Sequence, residues 1–241
     1  MTKIIVSPYS VFEVGSQTIV NTVNCVGVMG AGLAHEMCLR YPLMFAEYKH
    51  YCDAGKVKVG KTYVSRTQAQ WVLNFPTKNH WRYPSKLEWI ASGLQHVAEN
   101  YKAGKIESLA VPKLGCSKGN LRWSAVEPLI QEILSDLTIP VYICLDEERA
   151  PNGIETKMLQ YMAKTNSWLQ VFTVRQQTTL QKIEPLKLDR FRNLQRLNGI
   201  SKQMYEKLFT TIYQSVQEKQ INPKVTIPVS SSTASTQLKL F

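Results

Sequence analysis

The chain has 241 residues, of which 44% are hydrophobic and 10% aromatic, and its formal net charge is +11. This length and composition predict a globular protein with one substantial core and an appendage, or with two small domains. They exclude a membrane-spanning protein, because no segment is apolar for long enough to cross a bilayer.

The first 150 residues alternate apolar, strand-like runs with helical patterns. The predicted strands are KIIVS (3–7), TIVNTVN (18–24), TYVS (62–65), QWVLNF (70–75), SLAVP (108–112) and PVYICL (140–145). The predicted helices are Ala31 to Arg40, ending before Pro42, then Leu87 to Tyr101 and Ser124 to Leu137. Such alternation favours a layered α/β domain with a mostly parallel sheet, in which ligands bind beyond the carboxyl ends of the strands.

The character of the chain changes near residue 150. Residues 151–222 are rich in Gln, Lys and Arg, and they predict a basic, helical accessory segment in which Gly199 divides two short helices. Residues 223–241 contain a run of Pro, Thr and Ser that predicts a flexible tail. We therefore expect a domain at residues 1–150, the accessory segment and the tail.

The positive charge is concentrated in the second part of the chain. Residues 1–150 have a net charge of +3, whereas residues 151–241 have 13 Lys and Arg against 5 Asp and Glu, a net charge of +8. A basic segment of this kind indicates a polyanionic partner, with nucleic acid the first choice, and solubility is the alternative explanation.

The cysteines and the N-terminal residues bear on location. The five cysteines are odd in number and form no CxxC pair, which favours reduced thiols in a cytoplasm over disulfides or a zinc site. The four histidines also lack the spacing of zinc ligands. The N-terminal MTKIIVSPYS has too short an apolar part for a signal peptide, so export is not expected.

A first motif, NTVNCVGVMGAGLA (21–34), follows the second predicted strand. Gly30 and Gly32 lie where strand gives way to helix, so backbone N–H groups of the helix N-terminus can face an anion. The absence of a Cβ lets a ligand approach the backbone closely. A tight turn without a ligand explains the same pattern, because one GxG is weak support for a site.

A second motif, PKLGCSKGNLRW (112–123), again leads from a strand through a glycine-bearing loop into a helix. Gly115 and Gly119 leave the backbone accessible, and Ser117 and Asn120 add side-chain donors. Two such loops at strand ends of one sheet can hold the two sides of a diphosphate.

A third motif, NFPTKNHWR (74–82), places Lys78, His80 and Arg82 together after a strand that is predicted to end at Phe75, before Pro76. Lys78 is a candidate nucleophile or proton carrier, since burial and nearby cations lower the pKa of an amine. The alternative is an exposed basic loop. Trp81 beside it can flank a base, although core packing is the commoner use of tryptophan.

Together and in this order, the three motifs resemble the macrodomain family, and within it the DarG-type DNA ADP-ribosyl glycohydrolases, which are antitoxin partners of DarT toxins. The resemblance covers residues 1 to about 148. It implies a three-layer α/β/α domain with a mixed, mostly parallel sheet that binds ADP-ribose as substrate or product and removes it from thymidine bases in DNA. It also implies a hydrolase of DNA repair that needs no cofactor or metal.

The resemblance further implies roles for individual residues. Lys78 is similar to the catalytic lysine near the anomeric carbon, and Asn24 to the asparagine that orients the distal ribose. The implied ligand contacts are Asn21, Gly30, Ala31, Gly32, Leu33, Thr77, Leu114, Gly115, Cys116, Ser117, Lys118, Gly119 and Asn120.

Two departures from the family pattern affect the substrate. Tyr9 and Ser10 stand where many macrodomains have Gly-Asp, and Gly119 stands where a protein-directed branch has a catalytic Asp. The second departure favours the DNA-directed branch. Two alternatives stay open: a macrodomain that binds ADP-ribose without turnover, and a hydrolase that acts on ADP-ribosylated protein.

The last residues, STQLKLF, resemble the short peptide by which bacterial repair and replication proteins bind the sliding clamp. Gln237, Leu238, Leu240 and Phe241 carry the pattern at the end of the predicted tail. The expected partners are therefore ADP-ribosylated DNA, a DarT-type toxin and the clamp. A frayed tail that ends in apolar residues by chance is the alternative.

Overall fold

The structure is a computed structural model that describes residues 4–221, with the side chains of residues 219–221 left out. The described chain divides into two compact units, the first ending at Glu148 and the second beginning at Arg149. The first unit has six strands: β1 (Ile4–Ser7), β2 (Thr18–Asn24), β3 (Tyr63–Arg66), β4 (Trp71–Lys78), β5 (Leu109–Pro112) and β6 (Val141–Cys144). Its helices are α1 (Gly32–Arg40), α2 (Pro42–Asp53), α3 (Leu87–Asn100) and α4 (Trp123–Leu134).

The six strands form one sheet in the order β1-β6-β5-β2-β4-β3. All neighbouring pairs are parallel except β3 and β4, which are antiparallel. The predicted mixed, mostly parallel sheet is therefore confirmed. The strands β5, β2 and β4 lie side by side at its centre, so the segments that follow them leave the same edge of the sheet.

Helices cover both faces of the sheet because its central strands bury side chains on both sides. Val20 of β2 and Leu73 of β4 pack in a core with α3 and α4, to which Ile90 and Ile130 contribute. The alternate strand residues, including Ile19, pack in a second core with α1 and α2. This arrangement confirms the three-layer α/β/α fold.

Strand β4 is longer than the sequence pattern predicted. It continues through Pro76 to Lys78, so the prediction that it ends at Phe75 was wrong. The pairing of β3 with β4 covers only residues 71–74 of β4, and Val23 of β2 is the partner of Pro76 on the other side. Pro76 therefore lies where β4 has one neighbour, a position that tolerates the missing N–H. The consequence is that Lys78 belongs to the strand end itself.

The predictions from sequence omitted α2 altogether. Pro42 was interpreted as the end of α1, but it is the first residue of α2, where a proline is well accommodated. The buried residues of α2 are Met44, Tyr48 and Tyr51. Their spacing of four and then three residues is that of one helix face, so the helical pattern was present in the sequence and was overlooked.

The second unit is helical, as predicted. It contains α5 (Ile154–Lys164), α6 (Val174–Leu180), α7 (Lys202–Ile221) and three short 3-10 helices, Ser167–Val171, Pro185–Lys187 and Phe191–Arg196. The predicted break at Gly199 separates two helical segments, but the expectation that both are short was wrong, because α7 is 20 residues long. Phe191 packs edge-on against Phe209 of α7, with ring centroids 5.6 Å apart.

Two predictions concern the C-terminal tail and membrane-spanning helices. The predicted tail at 223–241, with the clamp-binding candidates Gln237, Leu238, Leu240 and Phe241, lies outside the described residues. Within residues 4–221, no helix combines the length and the apolar character that a membrane span needs.

Candidate active site

The three motifs meet at the carboxyl edge of the central strands. The first follows β2, the second follows β5, and the third forms the end of β4 and the loop after it. Asn24, the last residue of β2, is the register partner of Lys78, the last residue of β4. The pairing extends one step further, since the Cys25 N–H donates to the Asn79 carbonyl at 3.2 Å.

Lys78 links all three segments. Its Nζ donates to the carbonyl oxygen of Lys118 in the second motif and, at 3.3 Å, to that of Trp81 in its own loop. The residue is only 8% exposed. The amine therefore contacts the loops after β4 and β5, and the residue that carries it is paired with the last residue of β2.

The surroundings of Lys78 favour the neutral amine. Burial, and then the charge of Lys118, lowers the pKa of Lys78 below its ordinary value of 10.5. The neutral form is the one that can attack carbon or accept a proton. The two carbonyl acceptors orient Nζ and oppose part of this effect by stabilising the ammonium form.

Asn24 organises the turn that follows β2. Its Oδ1 accepts hydrogen bonds from the Val26 and Val28 N–H groups at 3.0 and 3.3 Å, and its Nδ2 donates to the Val28 carbonyl at 2.6 Å. The Tyr48 hydroxyl of α2 donates to the Asn24 carbonyl at 2.7 Å. The side chain thus shapes the first loop directly beside Lys78.

The first loop presents its glycines to solvent. Gly30, Ala31 and Gly32 are exposed, and Leu33 is half-buried at the start of α1. Gly32 has a φ of +58°, and nothing lies within 4 Å of the place where its Cβ would be. The backbone at the N-terminus of α1 is therefore open to an incoming anion.

The second loop is packed from below by its glycines. Gly115 has a φ of +68°, and the Leu121 N–H donates to its carbonyl at 3.0 Å. Gly119 is buried against the Gly115 backbone and the Ser85 side chain, and its carbonyl accepts the Ser85 N–H at 2.9 Å. Leu114 is fully buried, Cys116 is half-buried, and Ser117, Lys118 and Asn120 are exposed. The loop thus has a fixed base and a polar, accessible rim.

The electrostatics of this edge are positive. Segments 20–35, 74–86 and 112–123 contain no Asp or Glu, and they carry six Lys and Arg residues. Lys113 is paired with Glu147 at 2.7 Å and Lys86 lies 3.5 Å from Glu88, so the cations of these segments without such a partner are the ones that favour an anion such as a diphosphate.

Comparisons with known proteins agree with this geometry. The family model of the Macro domain matches residues 20–130. The solved macrodomain of Mycobacterium tuberculosis DarG is 38% identical, with a TM-score of 0.58, and the match covers 60% of this chain and 98% of that one. The macrodomain of Thermus aquaticus DarG is 33% identical, with a TM-score of 0.55 and the same coverage. The chain belongs to the macrodomain family.

Two curated relatives of this macrodomain protein have longer chains. The DNA ADP-ribosyl glycohydrolase of Mycobacterium tuberculosis is 41% identical over 147 residues, which are 58% of this chain and 42% of the relative. A DNA ADP-ribosyl transferase-DNA ADP-ribosyl glycohydrolase fusion protein of Thermosipho africanus is 38% identical over 156 residues, 56% of this chain and 40% of the relative. The chain thus spans about two fifths of the length of these relatives.

Not every predicted contact of the macrodomain reaches the site surface. Asn21 is fully buried within the sheet, where its Nδ2 donates to Asn74 Oδ1 at 3.0 Å. Asn74 donates in turn to Ser65 Oγ at 3.2 Å, and Ser65 to Glu47 of α2. Thr77 is also buried, and its hydroxyl donates to the Val23 carbonyl at 3.4 Å. Both residues support the strands behind the site.

Sequence reasoning missed two residues that shape the site. Ser85 forms the floor beneath Gly115 and Gly119, and Tyr48 holds the Asn24 backbone. Ser85 follows Pro84 in a loop and has no local signal, whereas Tyr48 belongs to the buried stripe of α2, which the sequence analysis did not identify. Trp81, expected in the core, is 46% exposed beside Lys78, so that prediction was wrong.

Proposed function

We propose that this macrodomain hydrolyses the bond between ADP-ribose and a base of DNA, with thymidine as the modified nucleoside. The observation that carries the proposal is the position of Lys78, a buried residue that pairs with Asn24 at the end of β2 and whose Nζ contacts the loops after β4 and β5. The names of the curated relatives, which are DNA ADP-ribosyl glycohydrolases, support the choice of substrate.

The loops supply the binding of ADP-ribose. The open backbone at the start of α1 and the exposed residues Ser117, Lys118 and Asn120 of the loop at 113–122 face the diphosphate from two sides in this proposal. The three segments themselves contain no acidic residue that would repel the phosphates. Holding the ligand in this way gives the reaction the advantage of proximity. A Thermosipho africanus DarTG structure, 37% identical to this chain, is in complex with ADP-ribose.

Lys78 supplies the chemistry in this proposal. As the bond to the base breaks, positive charge develops on the anomeric carbon, and a neutral amine can attack that carbon or accept the proton of an attacking water. In the first case a bond forms between Nζ and the anomeric carbon while the base nitrogen leaves with the electron pair. Water then displaces the amine. Reduction by borohydride during turnover would trap the open-chain imine of this adduct and distinguish the two roles.

The surroundings of Gly119 disfavour the alternative of a protein-directed hydrolase. A catalytic Asp in the second motif would stand at Gly119, which is buried against Gly115 and Ser85 with no space for a side chain. The amine of Lys78 is therefore the candidate that remains at this point of the site. The other alternative, a module that only binds ADP-ribose, predicts the same loops but needs no amine with a lowered pKa.

One experiment separates the three functions. Oligonucleotides that carry ADP-ribose on thymidine and proteins that carry it on carboxylates are incubated with the full chain, and free ADP-ribose is measured. We expect release from DNA at least tenfold faster than from protein. Equal or faster release from protein would support the protein-directed hydrolase. Tight ADP-ribose binding without release from either substrate would support the module that only binds ADP-ribose.

Two partners follow from the proposal. A DarT-type transferase is expected, since a relative carries transferase and glycohydrolase in one fusion protein. The sliding clamp is proposed from the residues Gln237, Leu238, Leu240 and Phe241. Titration of a labelled 230–241 peptide against purified clamp tests the second partner, with Gln237, Leu240 and Phe241 changed to Ala as the control. Equal weak binding by both peptides would remove the clamp from the account.

A further inference from the structure

Ser85 carries a buried hydroxyl without a hydrogen-bond partner. The residue is 5% exposed, and its Oγ has no donor or acceptor at hydrogen-bonding distance among residues 4–221. Most buried polar side chains in proteins have such a partner, because an unpaired one costs free energy. Alanine would fill nearly the same space at position 85 without this cost. The hydroxyl is therefore expected to gain a partner in another state of the protein.

The hydroxyl lies beneath the loop at 113–122. The Ser85 N–H donates to the Gly119 carbonyl at 2.9 Å, which anchors Ser85 to this loop. A Cβ built at Gly115 would lie 3.1 Å from Ser85 Oγ, and one built at Gly119 would lie less than 3.0 Å from it. The Ser85 hydroxyl therefore occupies space that a side chain at either glycine would need. The two glycines thus allow Ser85 to pack directly under the backbone of the loop.

An acceptor for the hydroxyl lies close by. Ser85 Oγ and the Gly115 carbonyl oxygen are each less than 3.0 Å from the same point, the place of a Cβ at Gly119, yet they are not hydrogen-bonded. The carbonyl accepts the Leu121 N–H at 3.0 Å, and a carbonyl oxygen can accept a second hydrogen bond. Neither glycine has a side chain that blocks the approach of the loop backbone to Ser85. A short movement of the loop would therefore form the missing hydrogen bond.

The loop above Ser85 is the one that faces the diphosphate in the proposed function. Lys118 is exposed on its rim, and the Lys118 carbonyl accepts Lys78 Nζ, so the position of this backbone also affects the proposed catalytic amine. Resting on the proposed binding of ADP-ribose, we propose that Ser85 is a positioning residue for the diphosphate. When ADP-ribose binds, the loop at 113–122 moves against Ser85, and the Ser85 hydroxyl donates to the Gly115 carbonyl and fixes the loop around the phosphates.

Ser85→Ala tests this inference because it should change stability and affinity in opposite senses. Without ligand, the substitution removes an unpaired buried hydroxyl, so Tm should rise by about 2–4 °C. With ligand, it removes a hydrogen bond, so the Kd of ADP-ribose should rise about fivefold. Thermal unfolding of the free full chain and calorimetric titration of ADP-ribose measure the two effects. A residue that only supports the fold would not raise Tm and Kd together.

Tyr63→Phe is the matched control. The Tyr63 hydroxyl is also buried without a partner among residues 4–221, but it lies on β3 and belongs to none of the three motifs. Its removal should likewise not lower Tm, and it should leave the Kd of ADP-ribose unchanged. Native affinity in Ser85→Ala would overturn the inference, as would a Tm several degrees below that of the native chain, which would show that the hydroxyl is already bonded in the free protein. If the native chain itself does not bind ADP-ribose, the proposed function fails and the inference fails with it.

Discussion

Gly119→Ala should damage the site through a steric clash alone. A Cβ built at Gly119 lies less than 3.0 Å from the Gly115 carbonyl oxygen, from Ser85 Oγ and, at 2.9 Å, from the Gly115 carbonyl carbon. Two of these atoms are backbone, and the Gly115 carbonyl already accepts the Leu121 N–H. The methyl group can therefore fit only if the loop at 113–122 moves.

The size of the effect follows from this geometry. Forcing an extra carbon into a packed site costs about 1–3 kcal/mol, and for a chain of this length about 2 kcal/mol lowers Tm by about 4–8 °C. Displacing the loop should also remove one hydrogen bond to the diphosphate. A hydrogen bond to a charged group is worth about 1.5–3 kcal/mol, so ADP-ribose affinity should fall at least tenfold.

Gly55→Ala is the matched control. Gly55 has a φ of +65° and nothing within 4 Å of an added Cβ, so its substitution strains the backbone by about 1–2 kcal/mol without a clash. It lies in the turn after α2 and belongs to none of the three motifs, so its substitution should lower Tm while leaving ADP-ribose affinity unchanged. Thermal unfolding and calorimetric titration give the two quantities. Native affinity in Gly119→Ala would refute the role of the second loop.

Three further predictions concern the lysine, the first loop and the second unit. The kcat of the native chain should rise about tenfold per pH unit below the lowered pKa of Lys78, because the neutral amine is required. Lys118→Gln removes the second cause of that lowering and should move the profile to higher pH, whereas an unmoved profile would remove Lys118 from this role. Asn24→Ala should reduce kcat more than tenfold with a modest loss of stability, since the side chain holds the 24–28 turn. A collapse of Tm with unchanged ADP-ribose binding in the folded fraction would make Asn24 a structural cap only. Truncation after Glu148 removes residues 151–241, which have a net charge of +8. It should weaken low-salt activity on DNA, while release of ADP-ribose from a modified mononucleotide persists. Unchanged activity on both substrates would indicate that the charge serves solubility.

Much of the macrodomain fold could be predicted because its central strands are apolar on both faces. TIVNTVN is β2 to the residue, and the loops after β2 and β5 were located by glycines that follow such strands. Parallel strands bring their carboxyl ends together, so the convergence of the three motifs follows from strand order alone. The contact between Lys78 Nζ and Lys118 lies beyond this reasoning, because it depends on tertiary distances.

The errors have physical causes of the same kind. A proline interrupts a strand where a neighbouring strand needs the N–H that proline lacks, and the pattern could not show that β4 has a single neighbour at Pro76. Trp81 was expected in the core because most tryptophans are buried. The ring is exposed because the loop after β4 places it at the surface, where it contacts His80 and Arg82. Asn21 and Thr77, which the resemblance assigns to the ligand, make their hydrogen bonds within the sheet, and a ligand contact of either stays a prediction.

The most direct test of the account is turnover by Lys78→Ala. Release of ADP-ribose from thymidine-modified single-stranded DNA is compared for the native chain, Lys78→Ala and Lys78→Arg, with calorimetric titration of ADP-ribose on each. The account predicts that both variants still bind ADP-ribose and that both lose turnover by at least about a hundredfold, because alanine has no amine and the guanidinium stays protonated. Full turnover by Lys78→Ala would contradict it, since the amine that contacts the loops after β4 and β5 would then have no part in breaking the bond.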